Sequence, residues 1–309
     1  MNEKELGNVS VPTDHAALLE FCEYLLDKHE GSLSLSYLGR SLRGRAIPML
    51  TLGNEDAVDG YFYVGAHHAM EWLTSTVLLK FVDDLLCSSE AGGEEYGIIP
   101  SKTLSEKFIC VVPMLNPDGV ELEIHGASED DPLRGRLIKM NGKDDFTHWQ
   151  ANGRGVDLNH NYDAGFYEYK RLESSLGVEG GARSKYSGLY PESEPEVGAL
   201  CNYLRFNRNV KGCLTLHTQG EEIYCGSAAS SLSASRPVAE KVASATGYRL
   251  GKPSGSALFG GMSDWVTSVL EIPSFTVECG SGENPLPTSD IPSIYRTLRE
   301  LLFTFPEMF

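Results

Sequence analysis

The sequence predicts an α/β fold in which a mostly parallel sheet carries helices on both faces. Short apolar runs at residues 61–65, 108–114, 212–216 and 274–277 have the unbroken hydrophobicity of strands buried on both sides. Segments with helical periodicity alternate with them, the pattern of βαβ units. No repeat, low-complexity block or Pro/Gly-rich linker divides the 309 residues, so one domain spanning 1–309 is the expectation.

The elements follow in order. A helix starts near Thr13 or Asp14, places Leu18, Phe21, Cys22 and Leu25 at i, i+3, i+4 and i+7, and stops at Gly31. Extended segments at 33–38 and 46–52 flank a turn at Arg43-Gly44, and a buried strand covers 61–65. Residues 71–86 are apolar nearly all round, which marks a central helix. After the strand at 108–114, residues 115–190 are polar and rich in Gly, Asp and Asn. A connection that long is functional or holds short elements of its own. Helices at 194–206, 238–245 and 291–303 and strands at 212–216 and 274–277 complete the pattern.

Composition excludes several function classes. At 41% hydrophobic and 22% charged residues the chain is too apolar for intrinsic disorder. A net charge of −17 weighs against nucleic-acid or anionic-membrane partners. The seven cysteines form no C-x-x-C pair and read as reduced, buried small hydrophobes. The charged N-terminus has no signal-like apolar stretch, and no run reaches the roughly 18 apolar residues of a membrane span, so a cytoplasmic location is expected.

Open α/β sheets bind ligands beyond the carboxyl ends of their strands. His67, His68 and Glu71 follow the strand at 61–65; His217 follows 212–216; Glu278 follows 274–277. Two imidazoles and a carboxylate with an open fourth position form a known catalytic zinc set. His67, at i, i+4 to Glu71, competes with His68 for the role. The plainer reading makes each histidine a satisfied structural residue and pairs Glu278 with an arginine. His15, His29, His125 and His148 read as surface or loop residues, and Cys279 as a packing residue. The chain has no nucleophile elbow, phosphate loop or dinucleotide fingerprint.

His68-Ala69-Met70-Glu71-Trp72, Gly155-Val156-Asp157-Leu158-Asn159, Leu216-His217 and Phe275-Thr276-Val277-Glu278 together resemble the zinc metallocarboxypeptidase family. Gly39-Arg40-Ser41-Leu42-Arg43-Gly44-Arg45, Asn116-Pro117-Asp118-Gly119, Tyr190-Pro191-Glu192-Ser193-Glu194-Pro195-Glu196 and Gly260-Gly261-Met262-Ser263-Asp264-Trp265 agree, in family order. The resemblance implies a mixed, mostly parallel eight-stranded sheet and a bare catalytic domain with no pro-segment. It implies one Zn2+ per chain held by His68, Glu71 and His217, with Glu278 as general base and then general acid. Asn159 would contact a substrate carboxylate or backbone.

The chain departs from that pattern in its substrate residues. His160 stands where the family's carboxypeptidases carry an arginine that forks onto the substrate's terminal carboxylate. Ser256 stands for the mobile tyrosine and Ser263 for the residue near the base of the specificity pocket. Relatives draw an oxyanion-stabilising arginine from just after a tryptophan; here Gln150 follows Trp149, and Arg154 is expected in that role. With the sequences around Asn159 and Glu278, these departures resemble a bacterial branch that cuts γ-D-glutamyl-meso-diaminopimelate bonds in cell-wall peptides. The expected substrate is therefore a peptide, a muropeptide in particular. An ordinary carboxypeptidase or a zinc amidohydrolase of small N-acylated amino acids would use the same metal set. A non-catalytic binding module would lack a ligand or the terminal Glu, and all four residues are present.

Overall fold

The computed structural model describes residues 11–226 and 232–309. Its strands are β1 (Leu33–Arg40), β2 (Ala46–Gly53), β3 (Gly60–Val64), β4 (Phe108–Val112), β5 (Val210–His217), β6 (Glu222–Cys225), β7 (Arg249–Leu250) and β8 (Ser274–Glu278). They form one eight-stranded sheet in the order β1-β2-β4-β3-β5-β8-β6-β7. The centre, β4-β3-β5-β8, is parallel, while β1 and β2 on one side and β6 on the other run antiparallel to their inner neighbours. β5 and β8 end in register, with His217 opposite Glu278.

The period of two along a strand sends alternate side chains to opposite faces. Tyr61 and Tyr63 of β3 enter one core layer with Leu18, Val77, Leu298 and Phe305, while Phe62 and Val64 enter the other with Leu200, Trp265 and Val266. The first layer is covered by α1 (His15–Lys28), α2 (Leu73–Ala91), α8 (Leu232–Thr246) and α10 (Ile291–Thr304), the second by α7 (Pro195–Phe206) and α9 (Met262–Val269). Asp14 caps α1 by accepting from the Ala17 amide at 2.9 Å. Among the described residues no helix is long and apolar enough to cross a membrane.

Several expectations change on contact with the structure. Residues 115–190 hold α4 (Pro117–His125), α5 (Arg134–Asn141) and α6 (Phe166–Ser175), and α3 (Pro100–Glu106) precedes β4. The last two strands of the sheet, β6 and the edge strand β7, four and two residues long, are too short for a periodic pattern to register. His29 is not a surface residue: it is 1% exposed and lies 2.8 Å from both Asp83 and Glu90. All seven cysteines are free, and five are buried. The side chain of Ser256 lies outside the described residues.

Two carboxyls are buried without a cation to hold them. Burial lifts Glu123, on α4, to about 8 and Glu196, in the first turn of α7, to about 7. A raised carboxyl means the folded state binds the proton more tightly, so this stability is complete below about 4.5 and is lost as pH rises toward the folded value. The stability of Glu123→Gln relative to the parent should therefore increase from pH 5 to pH 8 in urea titrations. A constant difference would show that Glu123 does not titrate in that window.

Candidate active site

β3 runs into Gly65-Ala66-His67-His68, and the turn is held against the preference of its residues. Ala66 has φ 45°, an uncommon left-handed conformation for a side chain with a Cβ. Its amide donates to Thr74 Oγ1 at 2.8 Å and its carbonyl accepts from the Asn116 amide at 3.0 Å, so both flanking elements fix it. A 3-10 turn at Ala69–Glu71 then leads into α2 and swings Glu71 back under His68.

Three side chains converge there. His68 Nδ1 lies 2.8 Å from Glu71 Oε1, His217 Nδ1 lies 2.8 Å from Glu71 Oε2, and the two nitrogens are 3.2 Å apart. Glu71 and His217 are buried and His68 is nearly so. Burial would raise the Glu71 carboxyl, but His68 and His217 pull it down to about 2. Two imidazole nitrogens within reach of one point beside a buried carboxylate make a candidate metal site, and two imidazoles with one carboxylate are donors of the kind that hold catalytic zinc. The remaining His217 nitrogen is buried without a hydrogen-bond partner.

His67 is the wrong neighbour for that role. Its Nε2 is 2.9 Å from the Tyr162 hydroxyl and its Nδ1 is 3.2 Å from Thr215 Oγ1, so both nitrogens are engaged away from Glu71. Its ring stacks on His217 at a centroid distance of 5.3 Å.

Asp157 supports the centre, a role that sequence reasoning did not assign although the residue stood inside a quoted motif. Its Oδ1 is 3.2 Å from His68 Nε2, and its Oδ2 accepts from Gln150 Nε2 at 2.7 Å and from the Lys185 amide at 3.0 Å. Carboxylates placed in this way fix the tautomer and orientation of ligating histidines.

The centre opens into a cavity of about 150 Å³ whose walls include His68, Asn159, His160, Ser263 and Glu278. Burial lifts the Glu278 carboxyl to about 7, against the pull of His217. Asn159 Oδ1 accepts from the Met262 amide at 3.0 Å, which caps α9. Ser263 Oγ is 2.9 Å from Thr276 Oγ1, giving the floor a chain of hydroxyls. His160 stacks on Tyr169, with centroids 3.9 Å apart and planes 13° apart, and its Nδ1 is 2.9 Å from the Phe259 carbonyl. Gly260 permits this placement, because a Cβ there would meet the His160 carbonyl oxygen at 2.8 Å.

The family model described as zinc carboxypeptidase matches residues 18–300. The chain belongs to the zinc carboxypeptidase family. It is 32% identical to gamma-D-glutamyl-L-diamino acid endopeptidase 1 of Lysinibacillus sphaericus over 260 residues, 84% of this chain and 63% of that relative. It thus spans less than two thirds of that protein's length. It is 30% identical to the uncharacterized protein YqgT of Bacillus subtilis over 272 residues, covering 88% of this chain and 71% of that one. The fold matches bovine thrombin-activatable fibrinolysis inhibitor with a TM-score of 0.71 at 20% identity, over 96% and 97% of the two chains.

Arg154, expected as the oxyanion donor, is engaged by other groups in this structure. Its Nε and Nη2 fork onto the buried Glu194 carboxylate at 2.9 and 2.7 Å, and Nη2 also donates to the Ser193 carbonyl. It lines a separate cavity with Arg136, Tyr186 and Leu189. Spacing alone could not reveal Glu194 as its partner, forty positions away.

Two outcomes follow. Alanine at His68, Glu71 or His217 should abolish stoichiometric zinc in dialysed protein measured by plasma mass spectrometry, whereas His67→Ala should retain it. Arg154→Ala should cost about 1–3 kcal/mol of stability by leaving the buried Glu194 carboxylate without its cation, with only Asn152 and Ser193 side chains donating to it. Its kcat should change less than tenfold, whereas losing an oxyanion donor costs about 2.7–4 kcal/mol in the transition state.

Proposed function

We propose that the protein hydrolyses an amide bond with one zinc ion per chain, and that its substrate is a cell-wall peptide with a γ-D-glutamyl-meso-diaminopimelate linkage. The observation that carries the substrate reading is His160. Burial holds its imidazole below the ordinary range even though Asp157 opposes that shift, and the ring is fixed between Tyr169 and the Phe259 carbonyl. A neutral ring so placed makes no forked contact with a terminal carboxylate. The similarity to the Lysinibacillus sphaericus endopeptidase supports the same reading.

His68, Glu71 and His217 would hold the zinc. When bound, such an ion polarises a carbonyl and makes water acidic near neutral pH. Glu278 then has the remaining chemistry. Its carboxylate takes a proton from the attacking water and returns it to the nitrogen of the departing amine. Asp157 keeps His68 oriented throughout, and Asn159 presents a polar edge to the substrate backbone.

The deciding measurement is kcat/KM on γ-D-Glu-meso-diaminopimelate peptides against blocked dipeptides ending in Phe, Leu, Lys or Arg. The γ-linked peptide should be cleaved faster; faster release of ordinary C-terminal residues would leave a plain carboxypeptidase. A panel of N-acylated amino acids in the same assay tests the amidohydrolase reading. Glu278→Gln should keep zinc and lose about 10²–10⁴-fold in rate, the worth of general acid–base catalysis. Retention of rate in that variant would place the base elsewhere.

A further inference from the structure

We propose that His67 is a positioning residue for the metal centre: its ring, pinned by the hydroxyls of Tyr162 and Thr215, fixes the orientation of the His217 imidazole and so sets how tightly the site holds zinc. This rests on the reading of His68, Glu71 and His217 as the zinc donors, and it gives a function to the neighbouring histidine that donates nothing to the ion.

The two donor histidines are supported in different ways. Glu71 meets the Nδ1 atom of each, which leaves an outer Nε2 on both rings. His68 Nε2 has an ion-pair contact with Asp157 Oδ1 at 3.2 Å, and Asp157 is itself held by Gln150 and the Lys185 amide. His217 Nε2 is buried, and among the described residues it has no hydrogen-bond partner. A ligating histidine ordinarily has an acceptor at its outer nitrogen that fixes the direction of the ring. His217 lacks one among the described residues, and its ring is held on the face instead.

The register of β5 makes that support possible. Thr215 and His217 are two positions apart on the strand, so their side chains share one face. His67 spans both: its Nδ1 is 3.2 Å from Thr215 Oγ1, and its ring stacks on His217 with centroids 5.3 Å and planes 30° apart. Its Nε2 is 2.9 Å from the Tyr162 hydroxyl, and all four residues are fully buried. A hydroxyl can donate to one ring nitrogen or accept from the other, so the imidazole is satisfied at both ends.

Rotation of an imidazole about its Cβ–Cγ bond is only softly restricted by the bond itself. Such a rotation would carry His217 Nδ1 away from Glu71, which it meets at 2.8 Å. A flat ring against its face opposes that movement, whereas a side chain of similar bulk without a flat face fills the space and opposes it less.

The test compares two substitutions that discard both His67 nitrogens and differ in shape: His67→Phe keeps a flat ring and His67→Leu does not. Zinc affinity is measured by competition with a chromophoric chelator. His67→Leu should raise the zinc Kd about 10- to 100-fold, the usual worth of support around a metal ligand, while His67→Phe should stay within about threefold of the parent. All three donors remain in both variants, so the effect is on affinity and not on stoichiometry. Both strand the Tyr162 and Thr215 hydroxyls, so the urea midpoint of the zinc-free protein should fall alike in the two. A merely structural role for His67 would leave the two Kd values equal, which would overturn the assignment. Cobalt-substituted protein gives a second readout: the visible Co2+ bands should shift in His67→Leu and match the parent in His67→Phe. Tyr162→Phe, which releases one end of the ring and leaves His67 in place, should raise the Kd by a smaller factor. An unchanged Kd there would also overturn the assignment, even if neither His67 variant folds. If all variants share the parent's Kd, the positioning role fails while the zinc site stands. If the parent takes up no zinc, the metal reading fails with it.

Discussion

The Glu71 carboxylate between two imidazoles is the interaction on which the active site depends. β3 and β5 are parallel neighbours, so their carboxyl ends reach the same edge of the sheet, and His68 and His217 follow those ends. The two ring nitrogens face each other at 3.2 Å and share Glu71, which offers one carboxylate oxygen to each. The strained Ala66 backbone and the short 3-10 turn before α2 are what bring that carboxylate into place. Burying three ionisable groups together is costly unless they are mutually paired and their outer atoms are held as well. Asp157 meets part of that demand from the far side of His68, and Gln150 and the Lys185 amide hold Asp157 in turn.

Much of this centre was legible in the sequence because the parallel strands that carry it are buried on both faces. Such strands are written as unbroken apolar runs, and the polar residues directly after them are the candidates. The sheet's centre was readable for the same reason, and the helix α1 from apolar residues spaced at i, i+3, i+4 and i+7. The choice between His67 and His68 was not readable. It is made by Tyr162 and Thr215, which tie down His67 from 95 and 148 positions away. The distant partner Glu194, which holds the Arg154 guanidinium, was likewise not readable. β6 and β7 escaped notice because four and two residues cannot show a period, and α9 because it follows a glycine pair and is only eight residues long.

The cavity wall around His160 is built from backbone and aromatic packing. His160 is held by Tyr169, the Phe259 carbonyl and the close approach of Gly260. Asn159 spends its carbonyl oxygen on the first turn of α9, which ties the loop after Asp157 to the helix carrying Ser263. The His68, Glu71 and His217 cluster and the cavity wall are therefore joined through a few residues, 157 to 160.

His67 gives that arrangement a final consequence. Its ring stacks on His217 with planes 30° apart, which places a third imidazole beside the candidate metal site. With three imidazoles and a carboxylate the donor set would be complete, and a tetrahedral ion so enclosed has no vacancy through which a reactant can approach. The hydroxyls of Tyr162 and Thr215 occupy the two nitrogens of His67. These two hydroxyls thus hold His67 out of the His68, Glu71 and His217 cluster, which keeps three donors rather than four.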